Sequence, residues 1–342
     1  MPLTPRERVL NLFARQPIDR IPCFSGMGNV ITEGMRVHGI RFAEAHADAR
    51  QMATLAASMY QLCGYECAVV PFDLGVEAEV LGCTLNRYEG VESDDILYPT
   101  IREKVVTRAE EIRIPAGLEG QGRVPVVCRA LRLLRQEVGA EVAVGSYLLG
   151  PFTLAGQVME LNDLLKMSFK QPAAVNAMLE RLSDLIIALA GIYQDAGADY
   201  LTFRVMGACA DVLNPRVFRN LIQPHLTRIL GAISGPKVLH ICGSTNAIVP
   251  AMAECGADAI SVDQKNDLVQ TRLELGPDVL LFGNFDPYKI QGQGTPQQAE
   301  EAAQACIASG VNAVWPGCDI WPTAPAENVR ALVQATQVAH RS

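Results

Sequence analysis

Short apolar runs alternate along the chain with longer amphipathic stretches, and the junction between the two repeats. A helical stretch ends in glycine and a β-branched run follows almost at once: QLCGYECAVVPF at Gly64, QEVGAEVAVGSYL at Gly139, QDAGADYLTF at Gly197, AECGADAISVD at Gly256 and IASGVNAVWP at Gly310. Glycine is favoured just past a helix end because it takes positive φ without strain. The run after it is apolar at odd and even positions alike, as in a parallel strand covered on both faces. RIPCFSG, KVLHICG and VLLFGN supply three further strands, each preceded by a helical stretch. The pattern predicts eight strands, near 21–25, 68–72, 141–148, 200–205, 237–242, 259–262, 279–283 and 313–316, with long helices between them such as 172–196.

Eight parallel strands alternating with helices predict an α/β fold, a (β/α)8 TIM barrel, spanning 1–342 as one domain. The helical stretch PRERVLNLFARQ precedes the first strand as an N-terminal extension. The long, irregular region 73–125 reads as an insertion near the barrel mouth. A doubly wound open sheet is the competing architecture. No G-x-G-x-x-G opens a helix after a strand, which counts against a dinucleotide-binding version of it.

Charge narrows the partners. The formal net charge is −8, and no basic stripe is present, so nucleic acid is not expected. The opening MPLTPRERVLNLFARQPIDR is too polar for a signal peptide, and no apolar run is long enough to span a membrane. A cytoplasmic protein, monomeric or homodimeric, is expected. The ten cysteines show no compact disulfide framework and read mainly as small buried hydrophobes.

In a barrel the functional groups gather at the C-terminal strand ends. Those ends carry Asp73, Ser146 and Tyr147, Arg204, His240 and Cys242, Asp263, Asn284 and Asp286, and Cys318. His240 and Cys242 are two apart on a strand, so their side chains share a face. Core filling, a redox pair and half of a metal site all fit that spacing, although no C-x-x-C neighbours Cys242. Cys318 ends the last strand, across the mouth from the fifth. One histidine and two cysteines make a three-ligand zinc site with an open fourth position, which Asp263 can fill at rest.

LHICGST, GNFDP and VWPGCDIWPTAPAENVRAL resemble the corrinoid-dependent methyltransferases related to uroporphyrinogen decarboxylase, above all the methylcobamide:coenzyme M methyltransferases. The resemblance extends from LTPRERVLNLFARQPIDRIP to the C-terminal helix. It implies that His240, Cys242 and Cys318 hold a catalytic zinc. It also places Asp263 where an acidic fourth ligand, usually Glu, is expected. It implies methyl transfer from a methylated corrinoid (methylcobalamin on a separate corrinoid protein) to a small-molecule thiol acceptor such as coenzyme M. Tetrahydrofolate as acceptor, or a methylated substrate as donor, is the alternative. A uroporphyrinogen decarboxylase-like activity is disfavoured, because CFSGMGNVITEG lacks the arginines expected after the first strand. The remaining expectations are looser. Asn284 and Asp286 anchor the substrate tail or orient a metal ligand, and Ser146 and Tyr147 line the corrinoid face. Arg204 binds an anionic tail. Asp73 hydrogen-bonds His240, His46 lies on a helix surface, and Trp315 and Trp321 belong to core or rim.

Overall fold

The computed structural model describes residues 2–338 apart from Glu92 and Asp94. After β1 (Cys67–Val70) comes a short antiparallel pair, β2 (Thr84–Asn86) and β3 (Thr100–Glu103). The parallel strands then continue as β4 (Ala143–Leu149), β5 (Tyr200–Val205), β6 (Lys237–Ile241), β7 (Ala259–Val262), β8 (Leu280–Phe285) and β9 (Ala313–Pro316). They form one sheet in the order β1-β4-β5-β6-β7-β8-β9, with helices in the connections. The parallel strands are almost wholly buried, which explains their two-sided apolar character.

The stave expected at 21–25 forms a single parallel bridge, Cys23 to Val314, and not a regular strand. Pro22 has no N–H to give the ladder. The segment nevertheless joins the two sheet edges. Val314 N donates to Pro22 O, Phe24 N donates to Val314 O, and Glu66 N donates to Cys23 O on the β1 side. The (β/α)8 architecture therefore stands, with one abbreviated stave.

The N-terminal helix Pro5–Phe13 packs against the barrel through Phe13, whose ring meets Phe24, Tyr200 and Phe282 at 5.7–6.2 Å. Trp315 joins the cluster against Phe24 at 4.9 Å. Glu66, fully buried, fastens this end. It accepts from Arg20 and from the Cys23 amide and pairs with Arg8, which Asp19 also holds. At the opposite end the 73–125 insertion brings Tyr98 and Thr100 beside Asp319, at the mouth as expected.

Glu77 shows what the barrel wall costs a carboxylate. It lies in the helix Val76–Val80, is almost wholly buried, and accepts the Leu149 amide at 2.9 Å. Burial pushes its pKa up to about 7. The folded protein thus holds this proton more tightly than the unfolded chain. The resulting stability is full below about pH 4.5 and is lost as pH rises through about 7. Glu77→Gln should keep the amide contact and remove this loss. Its unfolding free energy should rise relative to the parent between pH 5 and 8, by up to about 3 kcal/mol, and the gain should vanish near pH 4.

Candidate functional site

The site is set by strand register. Arg204 on β5 pairs with His240 on β6, and His240 pairs with Ser261 on β7. Cross-strand partners share a face, so these three side chains stand side by side. His240 is fully buried, with Nδ1 2.9 Å from Ser261 Oγ and Nε2 3.2 Å from Cys242 Sγ. Burial, and then the Arg204 charge, hold its pKa down to about 3, so the ring is neutral at neutral pH. With Nδ1–H donated to Ser261, the Nε2 lone pair faces the thiol.

Two glycines bring the thiols together. Gly243, directly after Cys242, has φ +88°, and a Cβ there would lie 2.5 Å from Cys209 Sγ. Gly317, directly before Cys318, comes so close to β7's loop that a Cβ would meet the Gln264 backbone nitrogen at 2.5 Å. The Cys318 thiol lies close enough to that of Cys242 for the two to act on each other electrostatically. The Cys318 thiol, together with burial, pushes the Cys242 pKa up. Both thiols are partly exposed. The donors meet pairwise, His240 with Cys242 and Cys242 with Cys318. Among the described residues no group of three His, Cys, Asp or Glu side chains is placed to hold a metal ion. One imidazole nitrogen and two sulfurs nevertheless match the donor preference of Zn²⁺.

Arg204 is the buried cation of the mouth. Its guanidinium lies 4.8 Å from the Tyr147 ring centre and donates through Nη2 to Asp319 Oδ2. Burial works against its charge, but Asp319 more than offsets this and raises its pKa. Asp319 Oδ1 accepts the Gly28 amide at 2.8 Å. Asp319 lines two cavities. One, of 340 Å³, also has Asp73, Tyr98 and Gln157 in its wall; the other, of 610 Å³, has Cys318, Tyr98, Tyr288 and Trp321.

Other expected residues lie elsewhere or do other work. Both Asp263 oxygens are taken by backbone amides, of Gly243 and Lys265, each at 2.9 Å. It fastens the loop carrying Cys242. Asn284 ties the same loop, donating to the carbonyls of Asp263 and Asn266. Asp286 caps the short helix Pro287–Gly292 through the amides of Tyr288 and Lys289. Ser146 and Tyr147 do not line an open face. Adjacent strand residues point to opposite sides, and both are buried, Ser146 on the Val70 carbonyl and Tyr147 on that of Asp73.

Asp73 does not reach His240 as a partner. Arg123 grips it twice, at 2.7 and 2.8 Å, and His46 Nδ1 lies 3.2 Å away. Burial opposes its charge, but these bonds hold its carboxyl well below the usual range. His46 is buried, not on a helix surface, packed against Phe42 at 4.6 Å between ring centres. Trp315 is core and Trp321 is half exposed at the rim. Sequence reasoning missed Ser261, Asn266 and Asp319 as positioning residues. Ser261 could have been found by parity, since it is two before Asp263 on the inward face. No helix among the described residues is long and apolar enough to cross a membrane.

A family model described as uroporphyrinogen decarboxylase (URO-D) matches residues 4–338. The chain is 31% identical over 338 residues to methylcobamide:CoM methyltransferase MtaA of Methanosarcina barkeri, covering 97% of each chain. It is 29% identical to the methylated-thiol–coenzyme M methyltransferase of Methanosarcina mazei, covering 97% of this chain and 89% of the other. A solved methyltransferase structure from Methanosarcina mazei superposes with a TM-score of 0.93 at 29% identity, covering 99% of both chains.

The close approach at Gly317 is directly testable. Gly317→Ala should cost about 1–3 kcal/mol in denaturant unfolding, because backbone must move. Gly120→Ala, which opens onto free space, should change stability by less than about 0.5 kcal/mol. Equal effects at the two positions would remove the packing reason for glycine before Cys318.

Proposed function

The chain belongs to the uroporphyrinogen decarboxylase family, and from that premise we propose that it is a zinc-dependent methyltransferase moving a methyl group from a methylated corrinoid to a small thiol such as coenzyme M. The observation that carries this reading is the contact of His240 with Cys242, with the Cys318 thiol beside it at the barrel mouth. It is supported by 31% identity, over almost the whole chain, to a relative named for that reaction. The corrinoid is read as the methyl-donor substrate, carried by a partner protein.

His240, Cys242 and Cys318 would hold the zinc, which when bound supplies the Lewis acidity that leaves an acceptor thiol deprotonated at neutral pH. The chain's own contribution is placement. Burial keeps His240 neutral, and Ser261 fixes which nitrogen faces the thiols. Asp263 and Asn266 pin the loop behind Cys242 through the Gly243 amide and carbonyl. The acceptor thiolate then attacks the corrinoid methyl carbon in line. The new C–S bond forms as the Co–C bond breaks, and that bond's electron pair stays on cobalt as Co(I).

A second reading has one specific support. The relative named for methylated-thiol chemistry favours a methylated thiol as an additional methyl donor. The decisive assay mixes the protein with methylcobalamin and candidate thiols and follows loss of the methyl–cobalt spectrum. Turnover with a folate, and with no free thiol, would displace the first reading; formation of methyl–cobalt when a methylated thiol is mixed with Co(I) cobalamin would support the second.

Cys242→Ala and Cys318→Ala should each lose most bound zinc, measured by metal analysis. Each should also lose at least the ~10–100-fold in activity that even outer-shell partners cost. Both variants should melt cooperatively, since neither thiol lies in the apolar core. Stoichiometric zinc in both variants would move the metal elsewhere.

A further inference from the structure

Three aromatic rings from three separate segments converge on the cavity of 610 Å³ that has Cys318 in its wall. Tyr98 comes from the insertion just ahead of β3, Tyr288 from the short helix after β8, and Trp321 from the loop after β9. Ile96 and Ile320 add to the apolar lining. Among the described residues the one charged group in this wall is Asp319, which Arg204 and the Gly28 amide already hold. The rings are fixed by their own neighbours. Tyr98 meets Phe42 edge-on at 4.9 Å, and the Tyr288 hydroxyl accepts from Gln293 at 2.8 Å. Ile320 N donates to Gly28 O and Thr32 N donates to Pro322 O, so backbone bonds on both sides of Trp321 tie its loop to the segment after the first stave. The Tyr288 and Trp321 rings stand 5.0 Å apart at 53° and remain 44% and 51% exposed. Two adjoining rings left half bare beside a thiol form a surface for a ligand, and fixed rings lose little freedom on binding one.

We propose that this cavity is a subsite for an aromatic body, and that it selects acceptor thiols carrying an aryl group a bond or two from the sulfur. The inference rests on the methyl-transfer reading and deepens it by naming the acceptor class. Cys318 and the three rings line the same cavity, so an aryl group seated on Tyr288 and Trp321 holds its sulfur beside the thiols. Aromatic rings attract one another edge-on or offset, and the tilt of Tyr288 to Trp321 offers both contacts to a third ring. The volume lies in the range in which proteins enclose small molecules. The corrinoid, a macrocycle far larger than one aryl ring, lies across the opening instead. A thiol with only a short polar chain covers little of the exposed aromatic surface and gains little from it.

The test uses full-length protein as purified and a ring without a thiol. The probe 4-fluorobenzyl alcohol is titrated by fluorine NMR into the parent, Trp321→Ala, Trp321→Phe and Phe169→Ala, with trifluoroethanol as the ringless control. Phe169 is an exposed ring outside the cavity, so Phe169→Ala should bind the probe as the parent does. Trp321→Ala should bind it about 10-fold more weakly, and Trp321→Phe should keep most of the affinity. Trifluoroethanol should not discriminate among the proteins. In methyl-transfer assays with methylcobalamin, the parent should prefer benzyl mercaptan to 2-mercaptoethanol by about 10-fold in kcat/KM, and Trp321→Ala should lose that preference. Equal binding of the probe by the parent and Trp321→Ala would overturn the proposal, as would a parent that does not prefer the aryl thiol. A loss in Trp321→Ala shared equally by both thiols, with KM for methylcobalamin raised, would assign the cavity to the corrinoid and overturn it too. If the parent methylates no thiol, the methyl-transfer reading fails, and the fluorine titration still decides the cavity.

Discussion

The register of β5, β6 and β7 is the constraint on which the mouth depends. It sets Arg204, His240 and Ser261 in one row on one face. A slip of one residue would turn all three away, because strand side chains alternate. The row lies in a wall of buried apolar strands, so each polar member must find its partner within the barrel. His240 finds Ser261 and Cys242, and Arg204 finds Asp319 and the Tyr147 ring. Site and fold are therefore specified by the same pairing.

The charges of the upper barrel divide into two groups with different accessibility. Asp73, Arg123 and His46 form a sealed set in which the carboxylate is gripped from three directions. Removing one member there would strand a buried charge, so this set reads as scaffold for the insertion. Arg204 and Asp319 differ because one partner is buried and the other reaches the cavities. Asp263, Asn266 and Asn284 bond backbone groups of the loops after β6 and β7 and so hold the segment behind Cys242 in place.

Much of this was legible in the sequence. The helix–glycine–strand repeat gave the barrel, and the two-residue spacing of His240 and Cys242 gave a shared face that their 3.2 Å contact bears out. What escaped was set by side-chain reach and by loops. Ser146 and Tyr147 were taken together although adjacent strand residues face opposite ways. Asp263 sits at a strand end, but its short carboxylate meets two amides before it meets anything else. Asp73 was expected on His240, yet its partner Arg123 lies at the far end of an insertion without periodicity. The first stave was read as a full strand, and Pro22 reduces it to one bridge. The family likeness over residues 4–338 supplies what spacing alone could not.

The central claim is that one imidazole and two cysteine sulfurs of this mouth present zinc to an incoming thiol. Zinc-edge X-ray absorption on the purified protein, with and without added coenzyme M, tests it most directly. The account predicts a shell with two sulfurs at about 2.3 Å and imidazole scattering, and one further sulfur when the thiol is added. A shell of oxygen and nitrogen only, or a sulfur count unchanged by the thiol, would contradict it.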